Sequence, residues 1–231
     1  MALKRILIVE DEKDIADLLA YNLKKEGFEV LHSLSAEQAK LLVAQQTIDA
    51  VLLDIMLPGM NGLDFCKYLR NHPKLSQVYV IFISARSEEI DRILGLEMGA
   101  DDYISKPFSP REVIARLKAV FRRERATVSA ESGKMIEAGV IRIDPDHHQT
   151  WIADAEVSLT KIEFDLLRAL ASAPARVFSR AKLLQEVWGY DYYGDDRIVD
   201  VHVRRLRIKL RQASEKEFVQ TVHGVGYKFV A

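Results

Sequence analysis

Residues 4–11 read Lys-Arg-Ile-Leu-Ile-Val-Glu-Asp, an apolar run that ends abruptly in two carboxylates. Apolar runs rich in β-branched side chains are typical of strands buried on both faces of a parallel sheet. The pattern returns at residues 50–54, Ala-Val-Leu-Leu-Asp, where a second apolar run ends in one carboxylate. These two stretches predict a parallel sheet with acidic side chains at the carboxyl ends of its strands.

Outward from these two runs, strand-like and helix-like segments alternate through the first half of the chain. The predicted strands are Lys4–Val9, Glu29–His32, Ala50–Leu53, Val78–Ile83 and Asp102–Ser105. The predicted helices are Asp14–Glu26, Ala36–Gln46, Gly62–Asn71, Glu88–Met98 and Pro110–Arg123. This alternation predicts an α/β domain with a doubly wound, five-stranded parallel sheet. In such sheets ligands bind outside the carboxyl ends of the strands.

Five polar residues follow the predicted strands at that edge: Glu10, Asp11, Asp54, Ser84 and Lys106. Converging carboxylates repel one another unless a cation lies between them, and oxygen ligands that leave room for phosphate suit Mg²⁺. A carboxylate can attack phosphorus and form an aspartyl phosphate. A lysine and a hydroxyl would then stabilise the phosphoryl oxygens. Single acids at strand ends are often solvated turn residues, but this set on four strand ends predicts a phosphoryl-accepting site.

The composition narrows the classes of protein that are possible. The chain has 231 residues, of which 48% are hydrophobic, with 33 basic and 34 acidic side chains, so it is globular and not uniformly basic. The single cysteine, Cys66, excludes an intrachain disulfide and a cysteine zinc site. No apolar run approaches the roughly 20 residues of a membrane helix, and no signal-peptide core follows the N-terminal charges. We therefore expect a cytoplasmic protein without membrane contact.

The second half of the chain contains one strongly basic segment, Arg197–Arg211, with six basic residues and one acid. Its apolar residues recur at a helical spacing and form one stripe: Val199, Val203, Leu206 and Leu210. The residues predicted on or toward the opposite face are Arg197, Val201, Arg204, Arg205, Ile208 and Arg211. Such a helix is a candidate reader of the DNA major groove, although a solvated basic face explains the helix alone equally well.

Shorter elements surround this basic helix. We predict strands at Val140–Ile143, Thr150–Ala153 and Val157–Leu159, and a glycine-turn hairpin over residues 218–229. Thr160 and Ser179 each begin a helix, and Asp196 caps the basic helix. The predicted organisation is a domain over residues 1–124, a small, polar linker over 125–137 and a smaller domain over 138–231.

The first half resembles the receiver domain of two-component response regulators. The resemblance covers about residues 3–123 and rests on residues 6–12 (ILIVEDE), 52–62 (LLDIMLPGMNG), 83–86 (ISAR) and 99–108 (GADDYISKPF). It implies that Asp54 is the phosphoacceptor and that Lys106–Pro107 is a cis peptide. It further implies a Mg²⁺ site formed by Glu10, Asp11, Asp54 and the carbonyl of Met56. Ser84 and Lys106 would bind the phosphoryl group, and Tyr103 would move as Ser84 is drawn inward.

Residues 138–231 resemble the winged helix-turn-helix output domain of OmpR/PhoB-type regulators. The matching stretches are residues 159–167 (LTKIEFDLL), 187–189 (VWG), 199–207 (VDVHVRRLR) and 221–227 (TVHGVGY). The resemblance implies that Arg197–Arg211 is the recognition helix, that the last hairpin is the wing and that Gly189–Asp196 contacts RNA polymerase. In the family an arginine that reaches the minor groove often stands at the position where this chain has His223.

The resemblance also implies partners. A sensor histidine kinase would supply the phosphoryl group, and the phosphorylated protein would form a homodimer on double-stranded DNA with two half-sites. The implied interface pairs Arg92 with Glu112, Asp102 with Arg116, Asp101 with Arg123 and Glu97 with Lys118 across a two-fold axis. All four pairs combine opposite charges, as a self-complementary interface requires.

Two alternatives remain beside a phosphorylation-activated transcription regulator. An aspartate-nucleophile phosphatase of the dehalogenase type would carry a second aspartate two residues after the nucleophile, where this chain has Met56, which cannot transfer a proton. We therefore do not expect an enzyme. An orphan regulator that binds DNA without phosphorylation would not need the complete set of site residues.

Overall fold

The computed structural model describes residues 3–86, 88–130, 135–189, 192 and 195–231, and for residues 123–130 it describes the backbone only. The chain divides into two compact units, residues 1–114 and residues 115–231. The boundary falls within a helix, Pro110–Ala130.

The first unit is built on a five-stranded parallel sheet. Its strands are β1 (Arg5–Val9), β2 (Glu29–Ser33), β3 (Ala50–Leu53), β4 (Tyr79–Ser84) and β5 (Asp102–Ser105). Their order is β2-β1-β3-β4-β5, and all four strand pairs are parallel. The chain leaves β1 toward one side for β2 and then continues on the other side with β3. The direction of winding therefore reverses between β1 and β3, which places a binding crevice at their carboxyl ends.

Five helices connect and follow these strands: α1 (Lys13–Lys25), α2 (Ala36–Gln45), α3 (Gly62–Asn71), α4 (Glu89–Glu97) and α5 (Pro110–Ala130). The Ser35 and Asn61 side chains cap α2 and α3 by accepting bonds from backbone N–H groups. Every element of this unit lies within one or two residues of its predicted bounds except α5, which continues seven residues past Arg123. The doubly wound α/β fold is confirmed.

The second unit begins with a sheet of four short antiparallel strands. These are β6 (Ile136–Ala138), β7 (Ile141–Asp144), β8 (Gln149–Ile152) and β9 (Ala155–Glu156). The predicted strand Val157–Leu159 is wrong, because a tight turn with Ala153 at φ 53° places Ala155 opposite Ile152. The predicted linker over 125–137 is also too long, since α5 covers residues 125–130 and β6 begins at Ile136.

The rest of the second unit is a helical core with a small sheet. Its elements are α6 (Lys161–Ala171), β10 (Val177–Ser179), α7 (Arg180–Val187), α8 (Ile198–Ala213), β11 (Val219–Val222) and β12 (Gly226–Phe229). The predicted capping box at Thr160–Glu163 is present, and Ser179 caps α7. The predicted cap of α8 is wrong, because Arg197 occupies the N-cap position without a side-chain cap. The last three strands form the sheet β10-β12-β11.

Within the described residues, every helix is too short or too polar to cross a membrane.

Candidate functional site

Three carboxylates meet at the point where the sheet winding reverses. Glu10 and Asp11 directly follow β1, Asp54 directly follows β3, and one ligand oxygen from each lies within 4.8 Å of the others. Glu10 and Asp54 are buried, whereas Asp11 is exposed. The predicted carboxylates of the metal site are therefore brought together, with an opening to solvent on the Asp11 side.

The backbone around Asp54 holds its carboxylate in place. The Asp54 N–H donates to the Val9 carbonyl at 2.9 Å, and the Met56 N–H donates to Asp54 Oδ1 at 2.8 Å. Gly62 at the start of α3 lies so close that a Cβ there would be 2.0 Å from the Asp54 carbonyl oxygen. Only glycine permits this approach. Asp54 is 5% exposed, enough to be reached and too little to move freely.

Lys106 lies at the centre of the cluster. Its Nζ is 2.6 Å from Asp54 Oδ2, 2.9 Å from Glu10 Oε1 and 3.4 Å from Glu12 Oε1. Burial lowers the pKa of this ammonium, but the bonds to Asp54 and Glu10 outweigh burial and raise it. The cis peptide expected from the resemblance is present between Lys106 and Pro107. A permanently charged donor therefore lies against the oxygens of Asp54.

The surroundings of Glu10 raise the pKa of its carboxyl group. Burial is the largest cause that raises its pKa, the charge of Asp54 raises it further, and the Lys106 ammonium lowers it, with a result of about 7. Two neighbouring carboxylates and one ammonium leave a surplus of negative charge that a divalent cation would neutralise. The donor set is all oxygen, as Mg²⁺ prefers, and the Met56 residue that would add a carbonyl is 56% exposed.

Ser84 and Tyr103 lie on the neighbouring strands β4 and β5. Ser84 is fully buried, and its Oγ accepts a bond from the Arg86 N–H at 3.3 Å. The Tyr103 hydroxyl donates to the Arg86 carbonyl, and burial raises the pKa of this phenol. Tyr103 is thus already buried beside the loop after Ser84. Its movement as Ser84 is drawn inward stays a prediction.

Two of the residues expected at a dimer interface are not on the surface. Asp101 is fully buried and accepts bonds from Arg70 Nη2 at 2.6 Å and from the Val80 N–H at 2.9 Å. Asp102 is also fully buried, and its Oδ1 accepts the Tyr103 N–H. The expectation of exposed charges at both positions is wrong. At the start of β5 both carboxylates point inward, where they accept bonds from backbone N–H groups.

The other expected interface residues have a different environment. Glu112 and Lys118 are exposed, and Arg92, Glu97 and Arg116 are half-buried. The side chain of Arg123 lies outside the described residues. The pair of Arg92 with Glu112 therefore keeps the accessibility that an interface needs, whereas the pairs that use Asp101 and Asp102 do not.

Helix α8 confirms its predicted apolar stripe but buries more than that stripe. Val199, Val203, Leu206 and Leu210 are buried. Val201, which we expected on the outer face, is only 8% exposed, and the neighbouring His202 is fully buried against Trp188 at 5.2 Å between ring centroids. The placement of Val201 is corrected, because the first two turns of α8 are covered on two sides. Of the residues predicted on the outer face, Arg197, Arg204, Ile208 and Arg211 are exposed.

Two basic residues of α8 bind a buried carboxylate. Glu163 on α6 is 0% exposed, with Arg205 Nη2 at 2.9 Å and Lys209 Nζ at 2.6 Å from its oxygens. Burial raises the pKa of Glu163, but the charges of Arg205 and Lys209 outweigh burial and lower it to about 2. Arg205 was predicted at the outer face; its side chain is 11% exposed and faces the core.

The last hairpin, β11–β12, has the predicted glycine turn, with Gly224 at φ 74°. His223 lies exposed at its tip, where the wing would be. Of the loop expected to contact RNA polymerase, Gly189–Asp196, residues 190, 191, 193 and 194 lie outside the described residues.

Sequence reasoning missed several residues that act through these sites. Glu12 contacts Lys106, Glu163 binds α8, and Asp200 on α8 accepts bonds from Arg180 and Tyr227 at 2.7 and 2.6 Å. The third acid of residues 10–12 was a visible signal for Glu12. The partners of Glu163 lie 42 and 46 residues away in sequence, and those of Asp200 lie 20 and 27 residues away. Local spacing therefore gave no signal for these contacts.

Known proteins match both units. Residues 6–118 match the response regulator receiver domain, and residues 154–229 match the family described as transcriptional regulatory protein, C terminal. The alkaline phosphatase synthesis transcriptional regulatory protein PhoP of Bacillus subtilis (strain 168) is 41% identical over 234 residues, covering 97% of this chain and 96% of that protein.

Two further proteins extend the likeness. The phosphate regulon transcriptional regulatory protein PhoB of Rhizobium meliloti (strain 1021) is 43% identical over 225 residues, covering 97% of this chain and 98% of that protein. The response regulator DrrB, an OmpR/PhoB homologue from Thermotoga maritima, has a similar structure with a TM-score of 0.53 and 27% identity, and all of both chains is covered.

Proposed function

This chain belongs to the OmpR/PhoB-type response regulators, which are phosphorylation-dependent transcription regulators. On that premise we propose that Asp54 is the residue whose phosphorylation controls DNA binding. The observation that carries the proposal is the position of the Asp54 carboxylate. It lies within the only cluster of three potential metal ligands among the described residues, 2.6 Å from a lysine.

The phosphoryl group would come from a phosphohistidine of a sensor histidine kinase. An oxygen of the Asp54 carboxylate attacks phosphorus as the bond between phosphorus and the histidine nitrogen breaks. The Lys106 ammonium is placed to neutralise charge on the phosphoryl oxygens, since it already contacts Asp54 Oδ2. The Ser84 hydroxyl lies at the end of the adjacent strand, where it would donate a bond to the attached group.

A Mg²⁺ ion would be held by Glu10, Asp11, Asp54 and the Met56 carbonyl. When bound, it supplies positive charge that stabilises the phosphoryl oxygens. The protein contributes the fixed positions of its carboxylates: the Met56 N–H holds Asp54 Oδ1, and the backbone approach at Gly62 fixes the loop. The Lys106 ammonium would keep its bond to Asp54 or exchange it for a phosphoryl oxygen.

Double-stranded DNA would be bound by the exposed side of α8, with Arg197, Arg204, Ile208 and Arg211 facing the major groove and His223 at the minor groove. Val201 is left out of this set because it is buried, and Arg205 because its side chain pairs with the buried Glu163. A regulator of transcription acts where the DNA is, so we place it in the cytoplasm. Contact of residues 189–196 with RNA polymerase remains a prediction from the resemblance.

Dimerisation on phosphorylation would couple the two domains. Two linked DNA readers gain effective concentration on a site with two half-sites without new DNA contacts. The exposed charges Glu112 and Lys118 and the half-buried Arg92 support an interface over α4 and α5. The orphan alternative, DNA binding without phosphorylation, would leave the carboxylate cluster and Lys106 unused.

A DNA-binding measurement with and without phosphorylation tests the proposal. The protein is treated with a small phosphodonor and Mg²⁺, weighed by mass spectrometry and titrated with a duplex selected from random sequences. We expect an acid-labile mass gain and tighter binding. Both should disappear in Asp54→Asn and persist in Asp64→Asn, a matched change at an exposed aspartate on α3. Equal phosphorylation of Asp54→Asn would refute the assignment, and equal DNA affinity before and after phosphorylation would favour the orphan alternative.

A further inference from the structure

We propose that the wing is locked to the recognition helix at two points, through Tyr227 to Asp200 and through Arg207 to β11, and that this lock sets where the wing meets the DNA. The inference rests on the proposed DNA-binding function. It assigns Tyr227, Asp200 and Arg207 as positioning residues, which act through the placement of His223 and touch no base themselves.

The first attachment joins β12 to the first turn of α8. The Tyr227 hydroxyl donates to Asp200 Oδ1 at 2.6 Å, and Arg180 Nε on α7 donates to the same oxygen at 2.7 Å. Burial raises the pKa of the Tyr227 phenol to about 12, and the negative charge of Asp200 adds to the effect. The phenol therefore stays protonated and keeps donating at physiological pH.

The second attachment lies two turns further along α8 and reaches the other strand of the hairpin. Arg207 Nε donates to the Val219 carbonyl at 2.8 Å, and Arg207 Nη2 donates to Thr221 Oγ1 at 2.8 Å. The two prongs of one planar guanidinium thus hold two residues of β11. A basic residue of the recognition helix that could have faced DNA is used to hold the wing.

The same two cations flank the Tyr227 ring. The Arg180 and Arg207 guanidinium carbons lie 5.4 and 5.5 Å from its centroid, within the range of cation–π attraction. The root of the wing is also held from behind: a Cβ at Gly226 would be 2.0 Å from the Phe178 carbonyl oxygen of β10. The hairpin therefore has no room to pivot at Gly226 and is attached to α8 along both of its strands.

A wing held in this way has a fixed offset from the recognition helix. Arg204 and His223 can then contact the major groove and the adjacent minor groove only where the two grooves are separated by the same distance. Loosening the two attachments should leave major-groove contacts intact and remove the benefit of any charge at the wing tip. A general loss of folding would instead weaken every contact alike.

The test measures whether a charge at the wing tip still contributes when the lock is removed. Full-length protein, phosphorylated with a small phosphodonor, is titrated with its selected duplex over a range of salt. In the parent, His223→Arg should steepen the salt dependence of log K by about 0.9, the value for one added phosphate contact. In a Tyr227→Phe, Arg207→Lys background, which keeps the charge, both that increment in slope and the accompanying gain in affinity should vanish, because a wing tip without fixed position no longer holds the new charge at a phosphate.

Controls separate the lock from folding and from the proposed function. Tyr21→Phe removes a hydroxyl from an exposed tyrosine of α1 and should change neither quantity. Tyr227→Phe alone removes one oxygen and keeps the ring, so it should retain the fold and lose part of the increment. The same increment from His223→Arg in the parent and in the loosened background would overturn the inference, as would no increment in the parent. A parent that binds no duplex would instead refute the proposed function.

Discussion

At the scale of single residues, burial decides what each arginine of the recognition helix does. Arg204 and Arg205 are neighbours in sequence, yet Arg204 is exposed and Arg205 lies 2.9 Å from the buried Glu163. A helix turns by about 100° per residue, so adjacent side chains diverge enough to face solvent and core. The same charge is therefore accessible to DNA at one position and pairs with a buried carboxylate at the next.

We expect Arg204→Ala and Arg205→Ala to have different effects. Arg204→Ala should leave the melting temperature nearly unchanged and weaken DNA binding, by roughly 1–3 kcal/mol on selected sites alone if it reads a base. Arg205→Ala should lower the free energy of unfolding by about 2 kcal/mol, because Glu163 loses a charged partner. Thermal unfolding and duplex titration measure the two quantities. Equal losses of stability in both variants would contradict this division.

We expect Met56 and Arg86, which lie two residues after Asp54 and Ser84, to determine how long the phosphoryl group lasts. Hydrolysis needs a water held in line by a polar side chain. Met56 offers no acceptor, and Arg86 is a cation whose Nη1 lies 3.5 Å from Asp91 Oδ1. We expect a slowly hydrolysed aspartyl phosphate, and Met56→Asn combined with Arg86→Glu should shorten its lifetime about tenfold or more.

The decay of the phosphorylated mass after removal of the phosphodonor measures this lifetime. Met56→Leu, which changes shape without adding an acceptor, serves as the matched control and should decay as the parent does. An unchanged or longer lifetime in the double variant would show that the water is positioned by other groups.

At the scale of elements, one carboxylate joins two helices. Glu163 Oε2 accepts the Thr160 N–H at 2.8 Å as part of the capping box of α6, and it also binds Lys209 of α8 at 2.6 Å. The start of α6 and the middle of α8 are therefore held by the same buried group. Breaking such a buried ion pair from one side is costly, since the remaining charges stay buried without compensation.

This clamp predicts a specific acid sensitivity. The Glu163 pKa of about 2 lies below its ordinary 4.5, so its contribution to stability is present in full above pH 4.5 and is lost as the pH falls toward 2. The contribution amounts to roughly 3 kcal/mol. Urea unfolding at several pH values should therefore show a steeper loss of stability below pH 4.5 in the parent than in Glu163→Gln. Parallel curves for the two proteins would place the acid-sensitive group elsewhere.

At the scale of the whole molecule, burial of Asp101 and Asp102 changes which charges can join two copies of the chain. Arg70 holds Asp101 at 2.6 Å from inside the same chain, so that carboxylate has a partner without dimerisation. The interface we propose therefore depends more on Arg92 and Glu112. In a two-fold interface each pair occurs twice, so a reversed charge acts twice.

A charge swap tests this interface. Arg92→Glu should leave Asp54 phosphorylation intact and weaken the phosphorylated dimer about tenfold, since two pairs of modest strength become repulsive. Adding Glu112→Arg should restore the dimer. Sedimentation of the phosphorylated proteins measures the change. The control charge reversal is Lys67→Glu, at an exposed position of α3. A dimer of Arg92→Glu as tight as the parent's would assign the coupling to another surface.

The sequence by itself determined the α/β fold of the first unit and the identity of its acidic cluster. Apolar runs such as Ile6–Val9 are local signals, and in a parallel sheet the residues after each strand must meet at one edge. The sequence therefore places Glu10, Asp11, Asp54 and Lys106 at one edge of the sheet, because all the strands that they follow run in the same direction. The capping box at Thr160–Glu163 is equally local, because its partners lie three residues apart.

Only the tertiary structure decided which charges are exposed and what they hold. Helical periodicity places Val201 and Arg205 away from the apolar stripe, but α8 is covered on more than one side, so Val201 is buried and the Arg205 side chain is only 11% exposed. Asp101 likewise appears as a surface charge in sequence and is bound internally by Arg70. The physical reason is that burial depends on neighbours distant in sequence. A buried charge needs a partner, and the chain pairs Glu163 with Arg205 and Asp101 with Arg70, each from another element.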